Sequence, residues 1–186
     1  MELNTVYANI EQVYNINREQ YDLMNPRFCR NNRNQITWDN HKSNEKFDSY
    51  EEYYYWVNEN LQYSFLLKRD AFVQFFFEGE KVGKKVEVYK GSMAYLPNPS
   101  TYSEYFRFDM DLKNEKDYKH ASYHVHFGYR AKDVRFALYK YPLPSEFLKL
   151  IEFLHYDISI TKFSQDKFWE SLSDRNIKFN HCLDLK

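Results

Sequence analysis

Two short alternating segments carry the side chains of this chain that could do chemistry. In the first, Arg107 and Asp109 alternate with phenylalanine and methionine, and in the second, His124 and His126 alternate with tyrosine, valine and phenylalanine. A period of two places alternate residues on one face of a β-strand. Each segment therefore predicts a strand with one apolar face and one face suited to acid–base, anion-binding or metal chemistry.

Antiparallel pairing of the two segments would bring their polar faces together. Directly opposite residues of paired strands share a face, so we predict Asp109 opposite His124 and Arg107 opposite His126. Arg135, on the next predicted strand, would extend the same row. The sequence therefore predicts a row of histidine, aspartate and arginine across three strands.

This row is compatible with three kinds of chemistry. His124 and His126 could act as acid and base on a phosphate held by Arg107 and Arg135, with His120 at the loop edge as a further substrate contact. The two histidines and the aspartate could instead bind a divalent metal, or the row could bind an anionic ligand without reacting. An ion-paired sheet face without any reaction explains the pattern about as well. Among the reactive versions we favour one with no metal and no cofactor, because a metal site usually draws ligands from more than one row.

Helical periodicity marks both ends of the chain. Residues 3–23 repeat apolar side chains at helical spacing, and Asp48 with Glu51 forms a capping-box pattern at the start of a second helix. Pro144 suits the start of a third helix, and Ser164 suits the N-cap of a short fourth one. These helices would pack on whatever structure the middle of the chain forms.

The middle of the chain alternates with the period of a strand. Both faces of residues 71–78 carry aromatic side chains, which predicts a central strand covered on both sides. Residues 25–46 are predicted as a basic and aromatic loop, with residues 36–38 as a short edge strand. The whole pattern predicts an α+β fold with a mostly antiparallel sheet of about five to seven strands and helices at both ends of the chain packed on it. We expect one domain over residues 1–186, with a helical part at 1–61, the sheet at 62–140 and C-terminal helices at 143–175.

Composition limits the class of protein. The net charge of −1 gives no overall electrostatic case for nucleic acid or an anionic membrane. The first residues lack the basic start and apolar run typical of a signal peptide, no apolar run has membrane-spanning length, and the two cysteines have no metal-type spacing. We therefore expect a cytoplasmic protein without membrane contact, and the bias towards Asn, Lys, Tyr, Phe and Ile indicates an AT-rich, bacterial genome.

Several segments between residues 63 and 156 resemble a known family. They are DAFVQFFFEGE (70–80), AYLPNPS (94–100), YFRFDMD (105–111), HASYHVHFG (120–128), Arg135 and PLPSEFLKLIEFLHY (142–156). Together they resemble the bacterial proteins grouped as domain of unknown function 2290. Ala121 departs from the proline that often follows the first histidine of that family. The resemblance implies a shared fold and a shared polar cluster, and it implies no activity.

Two functional hypotheses follow from these observations. The first is a small bacterial cytosolic effector, toxin-like or phage-defence-associated, that cleaves RNA or another phosphodiester without metal. Its catalytic residues would be His124, His126 and Asp109, and its protein partner an antitoxin or a larger defence subunit. The second is a non-catalytic interaction subunit of a larger bacterial defence complex that contains a nuclease or an ATPase.

Overall fold

The computed structural model describes residues 1–18, 23–42, 45–101, 105–113, 121–129 and 135–156. These ranges contain three helices: α1 (Leu3–Asn17), α2 (Tyr50–Glu59) and α3 (Pro144–Tyr156). They contain eight strands: β1 (Phe28–Arg30), β2 (Gln35–Trp38), β3 (Phe65–Leu67), β4 (Ala71–Val82), β5 (Lys85–Leu96), β6 (Phe106–Asp111), β7 (Tyr123–Phe127) and β8 (Arg135–Ala137). The chain divides into two compact units, Met1–Phe147 and Leu148–Lys186.

The strands form one antiparallel sheet in the order β1-β2-β4-β5-β6-β7-β8, and β3 also pairs with β4. The predicted α+β class, the antiparallel sheet and the helices at both ends of the chain are confirmed. β4 lies inside the sheet, as its aromatic side chains on both faces predict. The organisation of all 186 residues into one domain stays a prediction, and the helix predicted from Ser164 lies outside the described residues.

The segment 25–46, which is predicted as a loop inside a helical N-terminal part, contains β1 and β2. Residues 36–38 lie in a strand as predicted, but their edge position is wrong because β1 pairs with β2, with Phe28 opposite Trp38. A strand of three residues contains too few alternating positions to be recognised from its own sequence. The sheet therefore begins well before Gln62.

The N-cap of the second helix lies one residue later in the chain than the predicted cap, Asp48. The N-cap is Ser49, whose side-chain oxygen accepts a hydrogen bond from the backbone nitrogen of Glu52. The carboxylate of Glu52 in turn accepts from the backbone nitrogen of Asp48 at 3.1 Å. The capping pattern is thus S-x-x-E rather than the predicted pairing of Asp48 with Glu51, and the start of α2 is satisfied in the same physical way.

Alternation along the strands gives the sheet two chemically different faces. The apolar face carries Phe75 of β4 with Phe106 and Phe108 of β6, and the ring of Phe147 packs against all three. The polar face carries the intervening residues of the same strands, which include Arg107 of β6. The candidate site lies on this polar face.

Helices α1 and α2 cover opposite faces. Tyr14 of α1 stacks on Phe65, which contacts Phe75 of the apolar face. Tyr54 of α2 packs on Phe72 at a ring distance of 5.1 Å, and Phe72 alternates with Phe75 along β4. α2 therefore covers the polar face at one end. None of the helices in the described ranges is both long and apolar enough to cross a membrane.

Candidate acid–base and anion-binding site

The strand register places the predicted row of polar residues together. Asp109 lies opposite His124, and Arg107 lies opposite His126, as predicted. Arg135 of β8 continues the row on the far side of His126. On the near side, β5 places Ser92 opposite Asp109. Ser92 was not among the predicted site residues, because only the segments of β6 and β7 were paired from the sequence.

Asp109 is the centre of this cluster. Its Oδ2 atom accepts hydrogen bonds from Nε of Arg107 at 2.9 Å and from Nη2 of the same residue at 2.8 Å. Nε2 of His126 lies 3.2 Å from the same oxygen, and Nε2 of His124 lies 3.6 Å from it. One carboxylate oxygen thus receives three close N–H donors and a fourth nitrogen beyond hydrogen-bond length.

The ionisation of Asp109 follows from these contacts. Burial by itself raises the pKa of the carboxyl group. Hydrogen bonds from His126, Arg107 and Ser92 and the positive charge of Arg107 outweigh burial and lower this pKa to about 2. Asp109 is therefore a fixed negative charge at physiological pH.

The two histidines differ in how their ring nitrogens are held. Nδ1 of His124 lies 3.0 Å from the carbonyl oxygen of Ala121. A carbonyl only accepts, so this nitrogen carries a proton and Nε2 of the neutral ring is an acceptor. His126 uses Nε2 to donate to the ionised Asp109. The rings lie 5.0 Å apart, and both residues are more than nine-tenths buried. Two adjacent histidines are thus preorganised in different hydrogen-bonding states.

The predicted anion-binding residues lie at the site in different ways. Arg107 is paired with Asp109, yet its side chain is 40% exposed, so part of its guanidinium can meet a ligand. Arg135 is exposed on β8 beside His126. His120 lies outside the described residues.

A concavity of about 360 Å³ opens over the cluster. Its polar lining comprises Lys90, Ser92, Arg107, Asp109, Asp111, His124, His126 and Arg135. Phe76 of β4 closes one side. Both histidines line this space although little of either ring is exposed, so a ligand would reach them only by entering the concavity.

Tyr105 lies against this cluster and is fully buried. Burial raises the pKa of its phenol to about 12, with Asp109 also raising it and Arg107 lowering it. The hydroxyl is therefore neutral at physiological pH and cannot serve as a base there. The proton-accepting groups of the site remain the histidines.

The same three residues also meet the basic requirement of a metal site. One ligand atom from each of Asp109, His124 and His126 lies within 4.8 Å of the others. A histidine that donates Nδ1–H to a carbonyl, as His124 does, is typical of metal ligands. Arg107 argues against a metal. Its guanidinium group already binds the carboxylate oxygen of Asp109 that faces both histidine rings, and its positive charge would repel a cation there.

These features define a small α+β protein with an eight-stranded antiparallel sheet and one ionisable cluster on its polar face. Residues 20–106 match the family model described as "Uncharacterized conserved protein (DUF2290)", which supports membership of this family. The resemblance noted in the sequence is thereby confirmed. No curated protein and no solved structure matches the chain.

The matched range includes Lys90 and Ser92 of the candidate site but ends before its aspartate and histidines. It includes α2 and the strands from β1 to β5 and ends at Phe106, the first residue of β6. Asp109, His124 and His126 follow it in the chain. The shared polar cluster that the resemblance implies therefore stays a prediction.

Proposed function

We propose that the protein is a metal-independent ribonuclease whose two histidines act as base and acid. The observation that carries this proposal is that the two rings have different hydrogen-bond partners. His124 bonds to a backbone carbonyl, and His126 bonds to the ionised Asp109. General acid–base catalysis needs one group that takes a proton and another that gives one. The cluster offers both within one concavity.

His124 is the base and His126 is the acid in this mechanism. Nε2 of His124 takes the proton of a ribose 2′-hydroxyl while the 2′-oxygen bonds to phosphorus. The bond from phosphorus to the 5′-oxygen breaks, and protonated His126 gives the proton of its Nδ1 atom to that oxygen, while its Nε2–H stays bonded to Asp109. The products are a 2′,3′-cyclic phosphate and a free 5′-hydroxyl.

Asp109 orients and stabilises the pair. Its Oδ2 atom fixes His126 by a hydrogen bond and lies 3.6 Å from Nε2 of His124, where positive charge appears when the base takes its proton. Towards His126, this is the orienting role that the aspartate of a serine-protease triad plays towards its histidine. The arginines balance the charge of the phosphate: Arg107 through its exposed part and Arg135 from the neighbouring strand.

The cellular role that fits this activity is a bacterial, cytoplasmic effector of the toxin or phage-defence type. A ribonuclease in the cytoplasm cuts the RNA of its own cell unless a partner restrains it. An antitoxin or a larger defence subunit would supply that restraint.

The test is cleavage of single-stranded RNA by the purified protein in the presence of EDTA. We expect products with cyclic phosphate ends and no cleavage of DNA of the same sequence, because DNA lacks the attacking hydroxyl. His124→Gln and His126→Gln should each lower kcat/KM by about 10² to 10⁴. Glu80→Gln, at an exposed ion pair remote from the cluster, should leave it unchanged.

Two results would contradict the ribonuclease. One is wild-type protein that is folded and inert on RNA, which would favour a non-catalytic interaction subunit. The other is a pair of glutamine variants that unfold at the wild-type temperature and cleave at the wild-type rate.

A second candidate is a metal-dependent phosphodiesterase, favoured by the convergence of Asp109, His124 and His126. In that case EDTA would abolish cleavage, and added Zn²⁺ or Mn²⁺ would restore it. Calorimetric titration of the purified protein with each ion would show one site per chain, and His124→Gln would weaken it. Absence of binding together with EDTA-resistant cleavage would exclude this candidate.

A further inference from the structure

We infer that a second concavity, which adjoins the histidine pair, is a nucleobase subsite that holds one base of a single-stranded substrate by stacking. The inference rests on the proposed function, because it places the base next to the phosphate position. The subsite would contact the base of the substrate, which the histidines do not contact.

The second concavity has a volume of about 430 Å³ and lies between α2, the loop after β2 and the polar face of the sheet. Its aromatic lining comprises Trp38, His41, Phe47, Tyr53, Trp56 and Phe76. Ring centroids lie 4.6 Å apart for Trp38 and His41, 5.4 Å for His41 and Phe76, and 5.1 Å for Phe47 and Trp56. The concavity is thus lined by aromatic rings contributed by three different parts of the chain.

Packing of the core alone does not explain this lining. His41 is exposed, and Phe47, Trp56 and Phe76 are only partly buried. Aromatic side chains that serve only the core bury most of their surface, as Phe72 does beneath α2. Trp38 is buried, and Tyr53 and Trp56 also pack against the core, but His41, Phe47, Trp56 and Phe76 keep surface available for a ligand.

The two concavities are continuous. Phe76, Lys90, Ser92 and Arg107 line both of them. Phe76 pairs with Ser92, and Ser92 pairs with Asp109 on the next strand. Neighbouring strands are about 4.8 Å apart, so Phe76 of β4 lies about 10 Å from Asp109 of β6 and about 14 Å from His124 of β7. A short single strand spans this distance, with a base at the aromatic end and a phosphate at the histidines.

The polar edges of the lining are engaged by the protein itself. Nε1 of Trp38 donates to the side chain of Gln62 at 3.0 Å. The hydroxyl of Tyr53 donates to Gln74 at 2.9 Å, and the Gln74 amide donates to the carbonyl of Gln62 at 2.6 Å. A base would therefore be held by the ring surface that His41, Phe47, Trp56 and Phe76 expose, and stacking tolerates any base. The subsite should therefore accept purines and pyrimidines alike.

Charge favours a nucleic acid strand in this position. Lys42, Lys90 and Arg107 line the concavity against one carboxylate, Glu45. A base that stacks on protein rings must leave its own helix, so the strand must be single. A positive rim with a stacking floor is the arrangement by which proteins bind single strands without sequence preference.

The experiment measures binding by calorimetry with short oligodeoxynucleotides, which cannot be cleaved through a 2′-hydroxyl. Oligo-dA and oligo-dT are compared with an abasic strand of the same length and charge. We expect both base-bearing strands to bind at least about fivefold more tightly than the abasic strand. Trp56→Ala should remove this advantage and His41→Ala should reduce it. Tyr55→Ala, a 49% exposed aromatic beside Trp56 that does not line the concavity, should retain it.

Equal affinity for base-bearing and abasic strands would overturn the subsite. A full advantage retained in both His41→Ala and Trp56→Ala would also overturn it. A protein that cleaves RNA but shows no preference for bases would refute the subsite and leave the ribonuclease intact. A protein that shows the expected pattern of base binding without RNA cleavage would refute the ribonuclease and support the subsite.

Discussion

The two faces of β6 and β7 satisfy their side chains in different ways. On the apolar face, Phe106 and Met110 are almost fully buried among other apolar groups. On the polar face, Asp109 depends on particular atoms of Arg107 and His126. Apolar burial needs only neighbours of fitting shape, whereas an ionised group needs a partner at bonding distance. The apolar face should therefore set stability, and the polar face should set charge and chemistry.

The largest expected effect tests the apolar face. Phe106→Ala should lower the free energy of unfolding by about 3 to 5 kcal/mol, because it leaves a cavity where Phe147 and Tyr95 now contact the ring. Urea unfolding followed by circular dichroism measures this. Phe127→Ala is the matched control, since Phe127 lies directly opposite but is 45% exposed. Equal losses for the two variants would mean that burial does not govern this face.

The next effect tests the charge on the polar face. Asp109→Asn should lower the free energy of unfolding at pH 7 by about 2 kcal/mol, because the carboxyl pKa falls from 3.8 to about 2 on folding. A carboxyl group whose pKa is lower in the folded state stabilises the fold at pH values above its unfolded-state pKa. This contribution is lost as the pH falls from about 4 to about 2.

The pH dependence provides the check on this value. Wild type and Asp109→Asn should differ in urea midpoint at pH 7 and converge as the pH approaches 2. A difference that stays constant over this range would show that the variant acts through shape rather than charge. That result would weaken the contrast between the two faces.

A smaller effect sharpens how tightly the apolar face is packed. A Cβ atom on Gly91 would lie 2.8 Å from the Phe77 ring and 3.2 Å from the Met110 methyl group. Gly91→Ala should therefore lower the free energy of unfolding by about 1 kcal/mol. The cost of overpacking exceeds the stabilisation that alanine gives by lowering the entropy of the unfolded chain. A double-mutant cycle with Phe77→Leu should recover part of this loss. A stabilised Gly91→Ala variant would show that the ring moves aside freely.

The smallest effect concerns an exposed ion pair. Nζ of Lys113 lies 2.6 Å from Glu80, but both side chains are about half exposed. Glu80→Gln should change the free energy of unfolding by less than about 0.5 kcal/mol, and salt should make the change smaller still. A loss as large as that of Asp109→Asn would mean that burial does not decide the strength of ion pairs here.

The long elements could be predicted from local pattern. Two-residue alternation was sufficient for β4 and β6, and helical spacing was sufficient for α1, although α1 ends at Asn17 rather than near residue 23. The short strand β1 could not be predicted, because three residues show little periodicity of their own, and the edge position predicted for residues 36–38 of β2 was wrong for the same reason. The cap at Ser49 was displaced by one residue because both Asp48 and Ser49 are good N-cap residues.

The candidate site was partly predictable for a related reason. β6 and β7 are neighbours in the chain, so their alternation predicted that Asp109 faces His124 and Arg107 faces His126. The hydrogen-bond partners were less predictable, because Arg107 folds back onto Asp109 two residues along its own strand. Such a contact depends on rotamers and burial rather than on spacing.

The sequence by itself determined which residues share the polar face and how β6 and β7 pair, because strand alternation and nearest-neighbour pairing are local properties. Only the tertiary structure decided that Ser92 and Lys90 of β5 join this row and that Trp38, His41 and Trp56 meet beside it. Ser92 and Lys90 join the row through the pairing of β5 with β6, and the aromatic residues meet through the pairing of β2 with β4 and the docking of α2 on the sheet. Such contacts depend on the packing of the whole sheet, so no short segment contains them.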